Sequence, residues 1–168
     1  MRRSSHNFGF TLMELVLVLV VIAICAAIAA PNLRGFARGR TLPNSAMALM
    51  TSARWCRQQA LSDGLEYRLN LDASAGKWWV TKDDGSGTVF NPVPDDLGRE
   101  YTLPTGVIIS DITFQSEIPA SDAGTFISFG PGGKTDVAKI TLASDNLTIA
   151  VGCDTPLSSY HVVEGGTP

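Results

Sequence analysis

The sequence predicts an α+β protein in which a long N-terminal α-helical spine packs on an antiparallel β-sheet body. Three patterns carry the prediction: an unbroken apolar run from Leu15 to Ala30, then apolar residues at intervals of three and four, then short segments of alternating polarity after Leu65. The 168 residues include 13 basic and 16 acidic ones, a net charge of −3. A chain of this length is expected to form one domain of ordinary size. Since no charge lies between Glu14 and Arg34, a water-soluble body follows an apolar helix.

The first element is an apolar helix that is long enough to cross a bilayer. As a helix, Phe10 to Leu33 would extend about 36 Å, and the hydrocarbon core is about 30 Å thick. The leader, residues 1–9, is basic and lacks acids, which favours a cytoplasmic N-terminus. Three arginines follow the predicted span and leave its orientation open when charges alone are counted: Arg34, Arg38 and Arg40.

Other kinds of N-terminal signal compete with this interpretation. A cleaved secretory signal could use Ala27-Ile28-Ala29 as its small-residue site, but Glu14 is unusual at the start of its apolar core. A lipoprotein signal would acylate Cys25, yet Ile24 stands where a small residue should precede it. Arg2-Arg3 is typical of a twin-arginine signal, but the neighbouring residues do not continue that pattern. The sequence therefore favours a retained membrane helix.

Glu14 is the residue of this region with the clearest functional character. Placing a carboxylate beside an apolar run in a membrane costs on the order of 1 to 3 kcal/mol, so such residues are functional candidates. If the leader were removed after Gly9, the new amino terminus on Phe10 would lie four residues, about one helical turn, from Glu14. Pairing within the chain and pairing with a neighbouring subunit are both open.

The string Gly9-Phe10-Thr11-Leu12-Met13-Glu14-Leu15, followed by the apolar run and Pro31, resembles the N-terminal motif of type IV pilins and type II secretion pseudopilins. The resemblance implies a prepilin peptidase and methyltransferase that cuts after Gly9 and methylates Phe10, with Glu14 used in assembly. It implies a single-pass inner-membrane protein whose N-terminus is cytoplasmic and whose body is periplasmic, later extracted into a periplasmic filament. The further partners it implies are other major and minor pseudopilins and the inner-membrane assembly platform.

A second helical segment is expected after the span. Apolar residues recur every three or four positions from Leu42 to Leu61, and Asp63-Gly64 should end the helix. Glycines at 35 and 39 and a proline at 43 predict a kink or an unwound turn within residues 34–43. The expected organisation is a leader at 1–9, a transmembrane or filament helix at 10–33, the second half of the helical spine at 34–63 and a β-rich periplasmic body at 64–168.

Alternating polarity predicts strands throughout the body. The first covers residues 65–71, and further short strands are expected at 77–81, 101–103, 107–110, 113–115, 125–129, 137–142, 147–151 and 160–163. Residues 82–99 contain proline, glycine and four aspartates, which predict a long loop with a hairpin excursion around Val89 and Phe90.

Two body segments extend the resemblance. Ala53–Leu61 on the second helical segment, and Phe126–Gly133 followed by Val137–Val151, are similar to the two body signatures of the GspH/FimT subgroup. The resemblance therefore implies a pilin-like fold and a minor pseudopilin of the GspH/FimT family.

No catalytic, cofactor or metal site is expected from the sequence. Gly130–Thr135 resembles the end of a phosphate-binding loop, but Ser128 stands where the first glycine belongs, and a strand pattern follows, so a β-turn is favoured. His161 is the one histidine after the leader, which is too few for a catalytic triad. Asp83–Gly87 offers oxygen ligands for calcium, yet its spacing fits no known loop. The sequence therefore predicts a protein that is not an enzyme.

Cys56 and Cys153 both fall on predicted interior positions of the helix–sheet interface. In an oxidising periplasm they could form a disulfide, while burial as free thiols explains the same placement. Both alternatives are open. Cys25 is interpreted as a small apolar residue of the span.

The expected function is that of a structural subunit of the type II secretion pseudopilus, taking part in protein secretion across the outer membrane. The alternative is a FimT-like minor pilin of a type IV pilus, acting in pilus assembly or DNA uptake. Residues Asn44–Pro168 hold 8 basic and 15 acidic residues, net −7. Because phosphate binding needs a basic surface, this charge disfavours nucleic acid as a partner.

Overall fold

The structure, a computed structural model, describes residues 12–115, 120–121, 124–145 and 147–163. It divides into two units, one ending at Gly39 and one beginning at Arg40. Within the described residues the elements are one helix and ten strands: α1 (Leu12–Asp63), β1 (Tyr67–Asp72), β2 (Lys77–Asp83), β3 (Phe90–Pro92), β4 (Tyr101–Thr102), β5 (Ile108–Phe114), β6 (Ala120–Ser121), β7 (Gly124–Phe129), β8 (Ala138–Ser144), β9 (Leu147–Gly152) and β10 (His161–Val163).

The described residues of the first unit, 12–39, all belong to α1. From Leu12 to Ala27 every side chain is exposed. In the part of the chain that the structure describes, no helix combines the length and the apolar character needed to cross a membrane. Phe10 lies outside the described residues, and the span expected for Phe10–Leu33 stays a prediction.

Residues 34–43 belong to α1, which is helical without interruption from Leu12 to Asp63. The unwound turn predicted from the glycines and the proline of this stretch is therefore wrong. Those residues lower helix propensity locally, but propensity is a weak influence beside tertiary packing. Leu42, within the predicted interruption, is buried in the core of the second unit.

One face of α1 forms the helical side of the core in the second unit. Its buried residues follow the predicted spacing of three and four: Leu42, Ala46, Leu49, Ala53, Cys56 and Ala60. The alanine side chains on this face are small, so strands can approach the helix closely. Gly64 ends the helix in the left-handed region, at φ 68°, and its amide donates to the Ala60 carbonyl at 3.1 Å. The predicted end at Asp63-Gly64 is confirmed.

The first sheet has the strand order β3-β2-β1-β7-β6, and β4 also pairs with β2. All pairings are antiparallel, with Leu69 opposite Val80 and Ile127 in the central register. These three side chains are fully buried. Strand β3 pairs with the end of β2, so the excursion predicted around Val89 and Phe90 is confirmed.

The second sheet has the order β10-β9-β8-β5 and is also antiparallel. Residues 107–110 and 113–115, predicted as separate strands, fall largely within the single strand β5. Its pairing with β8 shifts register between Ile109 and Asp111. Such a bulge reverses the side-chain alternation, and this break in period makes one strand resemble two.

Both sheets share one hydrophobic core with the helix. Leu49 of α1, Trp78 of β2 and Ile140 of β8 belong to the same buried cluster, as do Phe129 and Tyr160. The predicted α+β class, a helix packed on antiparallel sheets, is confirmed.

Candidate assembly site

Of the residues expected to act in processing and assembly, the structure describes one. Gly9 and Phe10 lie outside the described residues, whereas Glu14 stands in the first turn of α1 with an exposed side chain. Glu14 borders a shallow surface depression whose other walls are Met13, Val16, Leu17 and Val20. An acid therefore stands directly beside an apolar surface.

The helix surface after Glu14 is apolar and open. Its large side chains between Leu15 and Ile24 are from 45% to 64% exposed. A contiguous apolar surface of this kind is stable only when lipid or protein covers it. Glu14 and this surface together form the candidate assembly site of the first unit.

A second candidate surface lies in the body, between α1 and residues 96–101. We call it the helix–loop groove; it has a volume of about 420 Å³. Its helical wall is formed by Asn44, Met47, Ala48 and Thr51 together with Ser52, and its other wall by Asp96, Leu97, Arg99, Glu100 and Tyr101.

The outer wall of this groove is attached to strand β2 through its backbone. The Val80 amide donates to the Gly98 carbonyl at 2.9 Å, and the Val93 amide donates to the Val80 carbonyl at 3.1 Å. A Cβ on Gly98 would lie 2.9 Å from the Val93 Cβ. Tyr101 stacks on the buried Trp78 ring with centroids 4.2 Å apart. The wall is thus held in one position before anything binds.

Arginines of α1 attach the C-terminal part of the chain to the helix. Arg54 Nε donates to the Tyr160 carbonyl at 2.8 Å, and the Arg57 guanidinium donates to the Leu157 carbonyl. Tyr160 is buried, and its hydroxyl donates to the Asp136 carbonyl at 2.8 Å. Sequence reasoning missed this role, although two arginines one turn apart beside a buried stripe were a usable signal.

Cys56 and Cys153 are both buried free thiols. The Cys153 thiol donates to the Asp136 carbonyl at 3.5 Å. Burial raises the pKa of the Cys56 thiol, so this group is protonated at neutral pH. Both thiols are free in this structure, and a disulfide between them stays a prediction.

The other candidate motifs have structural roles. Gly130–Gly133 is a turn in which the Gly133 amide donates to the Gly130 carbonyl at 2.9 Å, so the predicted turn is confirmed. Asp83 accepts from the Gly87 amide at 2.9 Å, and Asp84 accepts from the Ser86 amide at 2.9 Å. These carboxylates order their own loop. Over the described ranges, no three His, Cys, Asp or Glu side chains are grouped to hold a metal ion.

The C-terminal end of α1 is joined to the first sheet by a charged cluster. Asp63 forms an ion pair with Lys82 and accepts from the Tyr67 hydroxyl at 2.7 Å. The hydrogen bond from Lys82, followed by that from Tyr67, lowers the pKa of Asp63. Asp63 stands at the end of the helix where a negative charge is unfavourable, and these two partners offset that effect.

A helix that carries an acid in its first turn and packs on antiparallel sheets defines a pilin-like protein. Residues 4–30 match the model of the prokaryotic N-terminal methylation motif, and residues 45–163 match that of the family described as type II transport protein GspH. Since the second match covers well over half of the chain, the chain belongs to the GspH family.

One curated relative is type II secretion system protein H of Xanthomonas campestris pv. campestris. It is 31% identical over 70 residues, which cover 42% of this chain and 41% of that protein. The match thus spans about two fifths of the relative's length.

Two solved structures of the minor pseudopilin EpsH from the type 2 secretion system of Vibrio cholerae have the same fold. Their TM-scores are 0.58 and 0.59 at 11% identity; they cover 73% and 75% of this chain and 96% and 97% of their own chains. At this identity the likeness concerns the fold alone.

Proposed function

We propose that this chain is a minor pseudopilin, a structural subunit of the type II secretion pseudopilus. The observation that carries the proposal is the composition of α1. The first part of this helix carries Glu14 and an exposed apolar surface. The later part of the same helix provides the buried helical face of a GspH-family body. A helix of this kind serves first as an anchor and then as a packing element.

The proposed mechanism follows from the apolar surface of the first unit. In the inner membrane, lipid covers the side chains that follow Glu14; in a filament, helices of neighbouring subunits cover them instead. Exchange of lipid for apolar side chains changes hydration little, so packing and polar contacts decide between the two states.

Glu14 is the polar contact that sets the axial register in this proposal. After cleavage, the amine of Phe10 on an adjacent subunit would pair with the Glu14 carboxylate. A carboxylate enclosed by apolar helices without a partner is strongly penalised. Only one axial offset between two helices then satisfies the charge.

Processing and location belong to the same proposal. A prepilin peptidase cuts after Gly9 and methylates Phe10; the match to the N-terminal methylation motif over residues 4–30 supports this step. The chain crosses the inner membrane once, with the body in the periplasm. From there the assembly platform and other pseudopilins bring it into the filament.

The role proposed is structural, with proteins as partners. The body from Asn44 onward has net charge −7, which opposes the phosphate contacts needed for DNA uptake. A gel-shift measurement at low salt tests this point on the full chain in detergent. We expect no shift of duplex DNA; tight, salt-sensitive binding would instead support the FimT-like pilus function.

Substitution of Glu14 tests the register mechanism. In cells that lack the native copy, Glu14→Gln and Glu14→Ala should insert into the membrane normally but co-purify poorly with sheared pseudopili, and secretion should fall. Glu14→Asp keeps the charge and is the matched control, which should retain part of the incorporation. Wild-type incorporation of Glu14→Gln would refute a register role for the carboxylate.

A further inference from the structure

We propose that the helix–loop groove binds the apolar helix of a neighbouring subunit, a helix of the kind that Leu15–Ala27 forms in this chain. The inference rests on the proposed function and names the body surface that covers such a helix. It also assigns a role to residues 96–101, which form the outer wall of the groove.

Each wall of the groove carries an exposed apolar side chain. Met47 is 58% exposed and Leu97 is 41% exposed, on opposite walls. The Thr51 hydroxyl donates its proton to the Met47 carbonyl at 2.7 Å within the helix. A partner gains from this surface where its apolar side chains cover Met47 and Leu97.

The helical wall has the geometry that receives another helix. Asn44, Met47, Ala48 and Thr51 stand at spacings of three, one and three, so they form a single helical face. Helices pack by inserting rows of side chains from one helix between such rows of the other, with axes about 8–10 Å apart. Ala48 provides the low point at which a second helix approaches closely. A volume of about 420 Å³ accepts side chains of one helical face.

The charges around the groove favour an uncharged occupant. Arg99 pairs with Asp96 at 3.5 Å, and Glu100 pairs with Lys77 at 3.0 Å. Because these charges are matched within the body, a charged partner would gain little from them and would be desolvated. The segment Leu15–Ala27 has no charged residue and exposes apolar side chains on every side, so the two surfaces are complementary.

The groove is ordered before binding, which lowers the entropy cost of association. Backbone hydrogen bonds tie its loop wall to Val80, and the close contact between Gly98 and Val93 leaves no space for another side chain. Docking therefore requires no folding of the loop.

Site-specific photo-crosslinking tests the inference on the full chain in secreting cells. A photoreactive amino acid replaces Met47 in one variant and Leu97 in another; the matched control replaces Ile108, which is 59% exposed on β5. Mass spectrometry of the crosslinked peptides should identify the uncharged apolar helix of a neighbouring subunit for both groove positions and not for Ile108. Crosslinks from the groove to lipid, to body segments of a neighbour, or to nothing would overturn the proposal.

Charge substitutions provide a second measurement. Leu97→Glu should lower the yield of the Met47 crosslink by about tenfold, since it places a charge in an apolar contact, whereas Ile108→Glu should leave it unchanged. Unaltered thermal melting of the purified chain would separate this effect from misfolding. If Leu97→Glu keeps the full yield, the groove does not bind the helix, even where wild-type protein enters the filament. Failure of the wild type to enter any filament would instead refute the proposed function.

Discussion

Replacing Leu49 by alanine tests the packing of α1 on the sheets, on which the fold depends. Leu49 is fully buried in the shared core of the helix and both sheets. The substitution removes about three methylene-sized groups, worth about 2–3 kcal/mol in transfer free energy. Because the core closes only in part around the cavity, the total loss should be about 3–5 kcal/mol. This is a large share of the 5–15 kcal/mol typical of a domain's unfolding free energy.

Urea unfolding of a fragment that begins at Arg40 measures this loss, since the buried core cluster of the described residues runs from Leu42 to Tyr160 and lies within the fragment. With a slope of about 2 kcal/mol per molar urea, the midpoint of Leu49→Ala should fall by about 1.5–2.5 M. Met47→Ala, on the same helix at 58% exposure, is the matched control and should change stability by about 0.5 kcal/mol or less. Equal effects of the two substitutions would refute the assignment of the buried face.

The other predictions concern individual polar groups. Tyr160→Phe removes the hydrogen bond to the Asp136 carbonyl and should cost about 1 kcal/mol in urea unfolding; no loss would show that this bond is not formed. Because its partners lower the pKa of Asp63, their stabilisation is present above about pH 4 and lost as pH falls through the lowered value. The stability difference between wild type and Lys82→Met should therefore shrink on acidification, and a constant difference would contradict the ion pair. Cys56, whose thiol pKa is raised by burial, should react with iodoacetamide at pH 8 only after unfolding, as peptide mass spectrometry can show; rapid labelling of the folded chain would contradict its burial.

The parts of the fold that local pattern determines could be predicted from sequence. The spacing from Leu42 to Ala60 repeats with the helical period, and Asp63-Gly64 has the chemistry of a helix end. The strand predictions depended on alternation in the same way. Burial of Cys56 and Cys153 in the core followed from these positions.

The remaining features depend on pairing between distant residues, which period alone does not determine. The bulge between Ile109 and Asp111 interrupts the alternation of polar and apolar residues, so the sequence pattern predicted two strands where the structure has one. The division into two sheets depends on which strands pair. The helix α1 continues through residues 34–43 although glycine and proline there have low helix propensity, so propensity alone did not predict its length. The helix–loop groove was not predicted because its walls, near Met47 and Leu97, lie some fifty positions apart in the sequence.

If this GspH-family chain is processed and assembled as a pseudopilin subunit, its mature N-terminus must carry the products of cleavage and methylation. Mass spectrometry of the protein purified from membranes of its own cells should find a chain that begins with N-methylated Phe10 and lacks residues 1–9. A chain that keeps its leader, or one cleaved after Ala29 as a secretory signal would be, would contradict processing as a pseudopilin.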